Sequence, residues 1–430
     1  MGLELLRAAR GAAAGQPAAR APRARPGRRL LLAGAALLLG AAALPEGSRI
    51  DPSPDRFPAQ RLRSELAGGR QSFLVALGNT AFSSPLLFGP VARGAGLSCN
   101  SCHVNGHNNP DFLLPGHSAR PGGLDPTASL FNPTADDGVE NHVDIPSLRG
   151  IRYLGPYGRD GRIASLREFA RHVIVDEFAG PEPPPVILDA LTAYMNEFEF
   201  IPGGRLTIEG KLAPGASEAE RRGEAAFAAA CAECHVPGTA FTDGRAHDVG
   251  TGDRLRTPTL LDVTDSAPYG HDGRWPDLGA AVEGHGPDLD PAQRADILAF
   301  LAAAGAAEDA VQPASFRLEM GELAAYVGLL DQTLSRGEAG LTRFVVDTVN
   351  AELRRVQRAF PEGDAPRLAG RPDRHKQLPL DFEALRGGLE RVAVLAEAGD
   401  AAGAGAALDA YHAMAEKMVE NYPRPNRAAR

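Results

Sequence analysis

Cysteine is scarce in this chain. Its 430 residues hold four, Cys99, Cys102, Cys231 and Cys234, and all four fall in two short motifs, which leaves none for a structural disulfide framework. Long apolar runs are missing as well. LLLAGAALLLGAAAL at 30–44 has about 15 residues where a membrane span needs about 20. Basic charge is in the minority, 45 Lys and Arg against 54 Asp and Glu, for a net charge of −9. Residues 1–45 carry seven arginines and one glutamate, so removing that +6 leaves a chain near −15. Such acidity argues against nucleic acid as a partner and favours docking of a basic electron-transfer protein.

The cysteines that are present stand in LSCNSCHVNGH at 97–107 and CAECH at 231–235. A Cys-x-x-Cys pair serves a redox disulfide, a zinc site or covalent haem attachment. In C-x-x-C-H the two thiols add to the haem vinyl groups, and the adjacent histidine lies under the iron. A zinc or disulfide reading leaves His103 and His235 as coincidences. The expectation is two covalently bound c-type haems, held by Cys99, Cys102 and His103 and by Cys231, Cys234 and His235. The N-terminus agrees. Arg7, Arg10, Arg20, Arg23, Arg25, Arg28 and Arg29 precede the apolar run, the pattern of a signal peptide over 1–45 or, failing cleavage, an N-terminal membrane anchor. Either places the rest of the chain in the periplasm.

A duplication organises the middle of the chain. PSLRGIRYLGPYGRDGR at 146–162 and PTLLDVTDSAPYGHDGR at 258–274 align without a gap, each after a C-x-x-C-H motif and before a helical pattern. Ser217 with Glu220 makes a capping box before the second motif. Asp290 and Pro291 open a closing helix over 290–305, and 185–198 closes the first module. The link PGGRLTIEGKLAPGAS reads as an extended loop. Residues 313–430 carry no such motif but show four apolar stripes at spacings of three and four: Leu323 to Leu334, Phe344 to Phe360, Phe382 to Leu395 and Leu408 to Tyr422. These predict an up-down four-helix bundle or a helical cap. The expected fold is mainly α: a first cytochrome c-type domain over 46–205, a second over 206–308 and a helical domain over 313–430.

LGNTAFSSPLLFGPVARGAGLSCNSCH at 77–103, AERRGEAAFAAACAECH at 219–235, FTDGRAHDVGTG at 241–252 and RTPTLLDVTDSAPYGHDGRWPDLGAAV at 256–282 together resemble the bacterial di-haem cytochrome c peroxidases and their MauG relatives. The likeness covers about 70–306. It implies a first haem that reduces hydrogen peroxide and a second that takes electrons from a small cytochrome or cupredoxin. By the same resemblance, His117 would gate the first iron, with His107 as its competitor, and Glu168 would move the proton during peroxide cleavage. His285 would stand on the second iron, and Asp144 would bind a calcium ion with the carbonyls of Arg256 and Pro258. Tyr157 replaces a glutamine of the peroxidases, and the first module lacks their tryptophan before DGR. A MauG-like enzyme acting on a protein substrate, and a di-haem carrier or sensor without catalysis, are the alternatives; a homodimer is left open.

Overall fold

The structure, a computed structural model, describes residues 44–51, 57–58, 60, 62–201, 203–207, 209–250, 254–305, 311–312, 316–359 and 374–421. All but the last two residues of the leader expected over 1–45 lie outside these, as do Phe360 and Tyr422 of the apolar stripes. Helices dominate. α1 (Arg63–Leu66), α2 (Phe73–Phe82), α3 (Pro90–Ala95), α4 (Cys99–Cys102), α5 (Leu166–His172) and α6 (Pro185–Met195) form a first group. α7 (Glu218–Ala230), α8 (Leu278–His285) and α9 (Pro291–Ala304) form a second, and α10 (Phe316–Ser335), α11 (Ala339–Ala359), α12 (Arg374–Glu397) and α13 (Ala401–Asn421) follow. Strand, among the described residues, is confined to three antiparallel ribbons: β1 (Phe57–Pro58) with β6 (Val311–Gln312), β2 (Gly123–Leu124) with β3 (Val143–Asp144), and β4 (Ala246–Asp248) with β5 (Arg254–Arg256). The fold is mainly α, as expected. No helix among the described residues is long and apolar enough to cross a membrane.

Local sequence sets the helix starts. Ser217 accepts from the Glu220 N–H while the Glu220 carboxylate accepts from the Ser217 N–H, and Asp290 and Gln293 repeat the exchange ahead of α9. Each capping box satisfies donors that the first turn leaves orphaned. Packing then uses one device twice. α2 crosses α6 at Gly78, where a Cβ would sit 2.0 Å from the Ala190 carbonyl oxygen. α7 crosses α9 at Gly223, where it would sit 1.9 Å from that of Asp296. Four residues on, one helical turn away, a buried phenylalanine follows each glycine. Phe82 meets Tyr194 and Phe198 at 5.4 and 5.6 Å. Phe227 meets Phe300 and Phe241 at 5.0 and 5.8 Å.

The link between modules is not an extended loop. Leu206 bridges Leu212, the Thr207 N–H donates to the Lys211 carbonyl (2.7 Å), and the Ala213 N–H donates to that of Arg205 (2.8 Å). Both leucines pack on the core of Phe227, Phe241 and Phe300, and that burial folds the link back on itself.

α10 to α13 each pack on the next, and α13 returns to α10, an up-down ring of four. The stripe residues Val327, Leu330, Val349, Leu353, Phe382, Leu389 and Leu408 are fully buried in it. This bundle does not stand apart. Its core is continuous with that of the first module. Buried hydroxyl pairs join Ser83 to Tyr326 (2.9 Å) and Ser84 to Thr348 (2.7 Å) across the contact. Inside the bundle, half-buried Arg355 is held between two buried carboxylates, Glu319 (2.5 Å) and Glu352 (2.9 Å).

Gly223→Ala is expected to destabilise the protein by about 1–3 kcal/mol, because the added methyl meets backbone that cannot turn aside. Gly321→Ala, in α10 with nothing within 4 Å of its added carbon, is expected to gain up to about 1 kcal/mol. Urea unfolding of both variants checks the pair.

Candidate functional site

The first motif is one turn of helix. Ser98 caps it, its N–H donating to Ser101 Oγ (3.1 Å), and the His103 N–H donates back to the Cys99 carbonyl (2.8 Å). One turn therefore presents both thiols and the imidazole together. Cys99 and Cys102 pack against the main core, and burial pushes the Cys99 thiol up to about 12 and the Cys102 thiol higher still. His103 Nδ1 lies 2.9 Å from the Pro146 carbonyl, and burial pushes the imidazole down to about 4. The ring is neutral, Nδ1–H donates, and Nε2 keeps its lone pair for a metal.

The second motif follows the same plan at the end of α7. The His235 N–H donates to the Cys231 carbonyl (3.0 Å). His235 Nδ1 lies 3.0 Å from the Phe241 carbonyl, and the Pro258 carbonyl also lies against the ring. Pro146 and Pro258 each open one copy of the duplicated segment. The Pro258 carbonyl, expected beside a calcium ion at Asp144, thus also meets the imidazole. Burial lowers the His235 pKa and raises those of Cys231 and Cys234.

His285, the last residue of α8, faces His235 with ring centres 6.4 Å apart and planes at 69°. Its Nδ1 is 2.7 Å from the Ala281 carbonyl one turn back, which again leaves Nε2 bare. Two imidazoles sharing one metal through Nε2 stand about 6 Å apart, given a metal–nitrogen bond of about 2.0 Å on each side. The pair therefore fits a single six-coordinate iron. Trp275 lies over His285 at 5.5 Å, tilted 32°.

The duplicated loops make the same bridges and caps at matching positions. Tyr157 bridges Ile163, and Tyr269 bridges Trp275. Ser165 caps α5 and Asp277 caps α8, each nine residues after the proline of its PYG, Pro156 or Pro268. In that register Ile163 stands where the second module has Trp275, and Val173 stands where it has His285. A valine offers no ligand. Among the described residues no ring pairs with His103. His117 sits half-buried in a loop, its N–H on the Leu114 carbonyl (2.9 Å). His107 is buried, its Nδ1 accepting from the Asn108 N–H (2.8 Å).

Glu168 is exposed in the first turn of α5, where its N–H caps on Ser165 (3.2 Å). A second acid nearby escaped sequence reasoning. Glu177 has its pKa raised by burial, with His172 (3.6 Å) and Arg162 opposing. Only the tertiary fold reveals it, since its neighbours in sequence are those of a solvated turn.

Asp144 lies where the two loops meet. Its N–H donates to the His271 carbonyl (3.0 Å), but Oδ1 is buried without a partner. Burial pushes the carboxyl up to about 8, against the pull of Arg120. An orphaned buried carboxylate oxygen fits a hard cation. A cavity of about 620 Å³ opens close by, lined by Arg120, His142, Arg159, Arg162, Arg254 and Asp272 among others. Elsewhere, Cys234, Asp243 and His247 approach within 4.8 Å of one another. Burial opposes ionisation of Asp243, but the Arg245 N–H and the His247 ring (2.7 Å) hold it down to about 2. A zinc there would take one thiol of the motif and leave His235 unused.

No family model matches the chain, and no curated protein is detectably similar. Among solved structures it is similar to hydrazine synthase of Kuenenia stuttgartiensis, at 21% identity over 60% of this chain and 97% of that one, with a TM-score of 0.41. It is also similar to a MauG-like protein associated with microbial copper homeostasis, at 19% identity over 61% and 94%, with a TM-score of 0.38.

Asp144→Asn tests the orphaned carboxylate. A carboxyl whose pKa is raised on folding contributes stability when protonated and loses it as pH rises, here between about 4 and about 8. In chelator at pH 8 the amide is expected to be more stable than the native protein by about 1–3 kcal/mol, and at pH 4 the gap should close. Urea unfolding at both pH values measures it.

Proposed function

We propose that the chain is a periplasmic di-haem oxidoreductase that reduces hydrogen peroxide to water with electrons from a small cytochrome or cupredoxin. The observation that carries this reading is the contrast between its two metal-ligating sites. His235 has a second imidazole opposite it at 6.4 Å; His103 has Val173 at the matching position. One site is closed and suited to passing electrons, the other open and suited to binding peroxide.

Cys99, Cys102, Cys231 and Cys234 would attach the two haems covalently, and His103 and His235 would hold their irons from below. The haems supply one-electron redox chemistry and a site at which the peroxide O–O bond is cleaved. The chain's own groups do the rest. The Pro146 carbonyl fixes the His103 tautomer and makes its ring a stronger ligand. Glu168, with half-buried Glu177 as a second candidate, can move a proton from the inner to the outer peroxide oxygen, so that H₂O₂, two electrons and two protons leave as two waters. His117, on a loop rather than a helix, is free to act as a gate over the open site. Asp144 would take a calcium ion between the duplicated loops. The signal peptide expected over 1–45 would bring the chain to the compartment where such haems are attached. A net charge near −15 beyond it suits a basic donor.

Tyr157 supports a second reading, oxidative modification of a partner protein in the manner of MauG. Burial raises its pKa, and it faces Arg256 across the module contact, a position from which an electron and a proton can leave separately.

Stopped-flow absorbance of the half-reduced, calcium-loaded protein mixed with hydrogen peroxide decides between them. Rapid oxidation with repeated turnover on added reduced cytochrome is expected, and His103→Gly should reduce it to background while leaving the second haem's spectrum intact. A long-lived oxidised state without turnover favours the second reading. No response in any redox state would mean that both irons are closed and that the protein is a carrier.

A further inference from the structure

We propose that Trp275 is a positioning residue for the second metal site: its indole holds the His285 imidazole in the orientation that binds iron, and so keeps that haem closed to other ligands. The inference rests on the reading of His235 and His285 as the two axial ligands of one iron.

His285 ends its helix. A side chain on a last turn has no following turn to brace it, and helix ends fray. Its bond to the Ala281 carbonyl settles which nitrogen is bare but leaves the ring plane to be fixed by something else. The indole at 5.5 Å, tilted 32°, is the aromatic surface in contact with it. The indole itself is held. Trp275 closes the PYGHDGRW loop through paired backbone bonds with Tyr269, 2.7 and 3.1 Å. Two glycines make room for it. A Cβ on Gly284 would lie 2.2 Å from the indole Nε1, and one on Gly270 would lie 2.9 Å from its ring carbons. Gly284 immediately precedes His285, so the segment that carries the imidazole is also shaped to admit the indole. The first module is an internal control. Where His285 is replaced by Val173, Trp275 is replaced by Ile163 and Gly284 by His172. Indole, glycine and imidazole are present together or absent together.

The test uses the purified protein carrying both haems, read by its ferric absorbance and EPR spectra and by cyanide titration, with the first haem as internal reference. Trp275→Leu keeps the loop apolar but removes the ring, and Gly284→Ala pushes the ring aside. Each is expected to tighten cyanide binding at the second haem by about two- to tenfold, the population change that loss of one aromatic contact corresponds to. A high-spin signal from that haem should grow in step, and Trp275→Phe should restore native behaviour. Native cyanide affinity in both Trp275→Leu and Gly284→Ala, while His285→Ala admits cyanide freely, would overturn the role given to the indole. A second haem whose spectrum is unchanged by His285→Ala would overturn the axial-ligand reading and the proposal with it. If Trp275→Leu fails to take up two haems, Gly284→Ala decides.

Discussion

An imidazole can hold a metal firmly only when its other nitrogen is already engaged. His103, His235 and His285 meet that condition in the same way, each through a backbone carbonyl: Pro146, Phe241 and Ala281. A carbonyl cannot donate, so each ring is committed to Nδ1–H and to a bare Nε2. The duplicated segments are arranged around this requirement. Each begins with the proline whose carbonyl meets the motif histidine, and each runs on into a capped helix; in the second copy His285 faces that histidine, and in the first Val173 holds the matching position. The second copy thus brings two imidazoles together where the first has an imidazole and a valine at the matching position.

Much of this was legible in the residues alone. The C-x-x-C-H motifs, the capping boxes at Ser217 and Asp290, and the apolar stripes of the bundle are local signals, written within a turn or two of helix, and they name the elements without any knowledge of the fold. His285 was reachable only through resemblance, because its partner lies 50 residues earlier in the chain. Glu177 was out of reach, as were the indole contact of Trp275 and the missing partner of the Asp144 oxygen. All three lie in burial and in neighbours brought by tertiary contact, and Glu177 looks in sequence like an ordinary surface residue. The link over 203–216 was misread for a similar reason. Its Gly and Pro suggested an open strand, but Leu206 and Leu212 had a hydrophobic surface to cover.

Glycine has a single role in both modules that the sequence shows only in outline. At Gly78 and Gly223 two helix backbones approach so closely that no side chain fits between them. A small domain that must surround a large planar group has little room left for a core of its own. Drawing the first and last helices together at one point leaves the remaining volume to that group, and the phenylalanine one turn on seals the crossing.

The continuous core shared by the first module and the bundle also sets an order of assembly. The second module's apolar cluster is complete once residue 301 has been made. The first module's is not, because Tyr326, Val349 and Met418 belong to the same cluster as Phe82 and Tyr194. A chain emerging from its N-terminus would thus finish its second half before its first. Cys99 and Cys102, which pack against that cluster, would stay accessible until the last helix closes over the surface behind them.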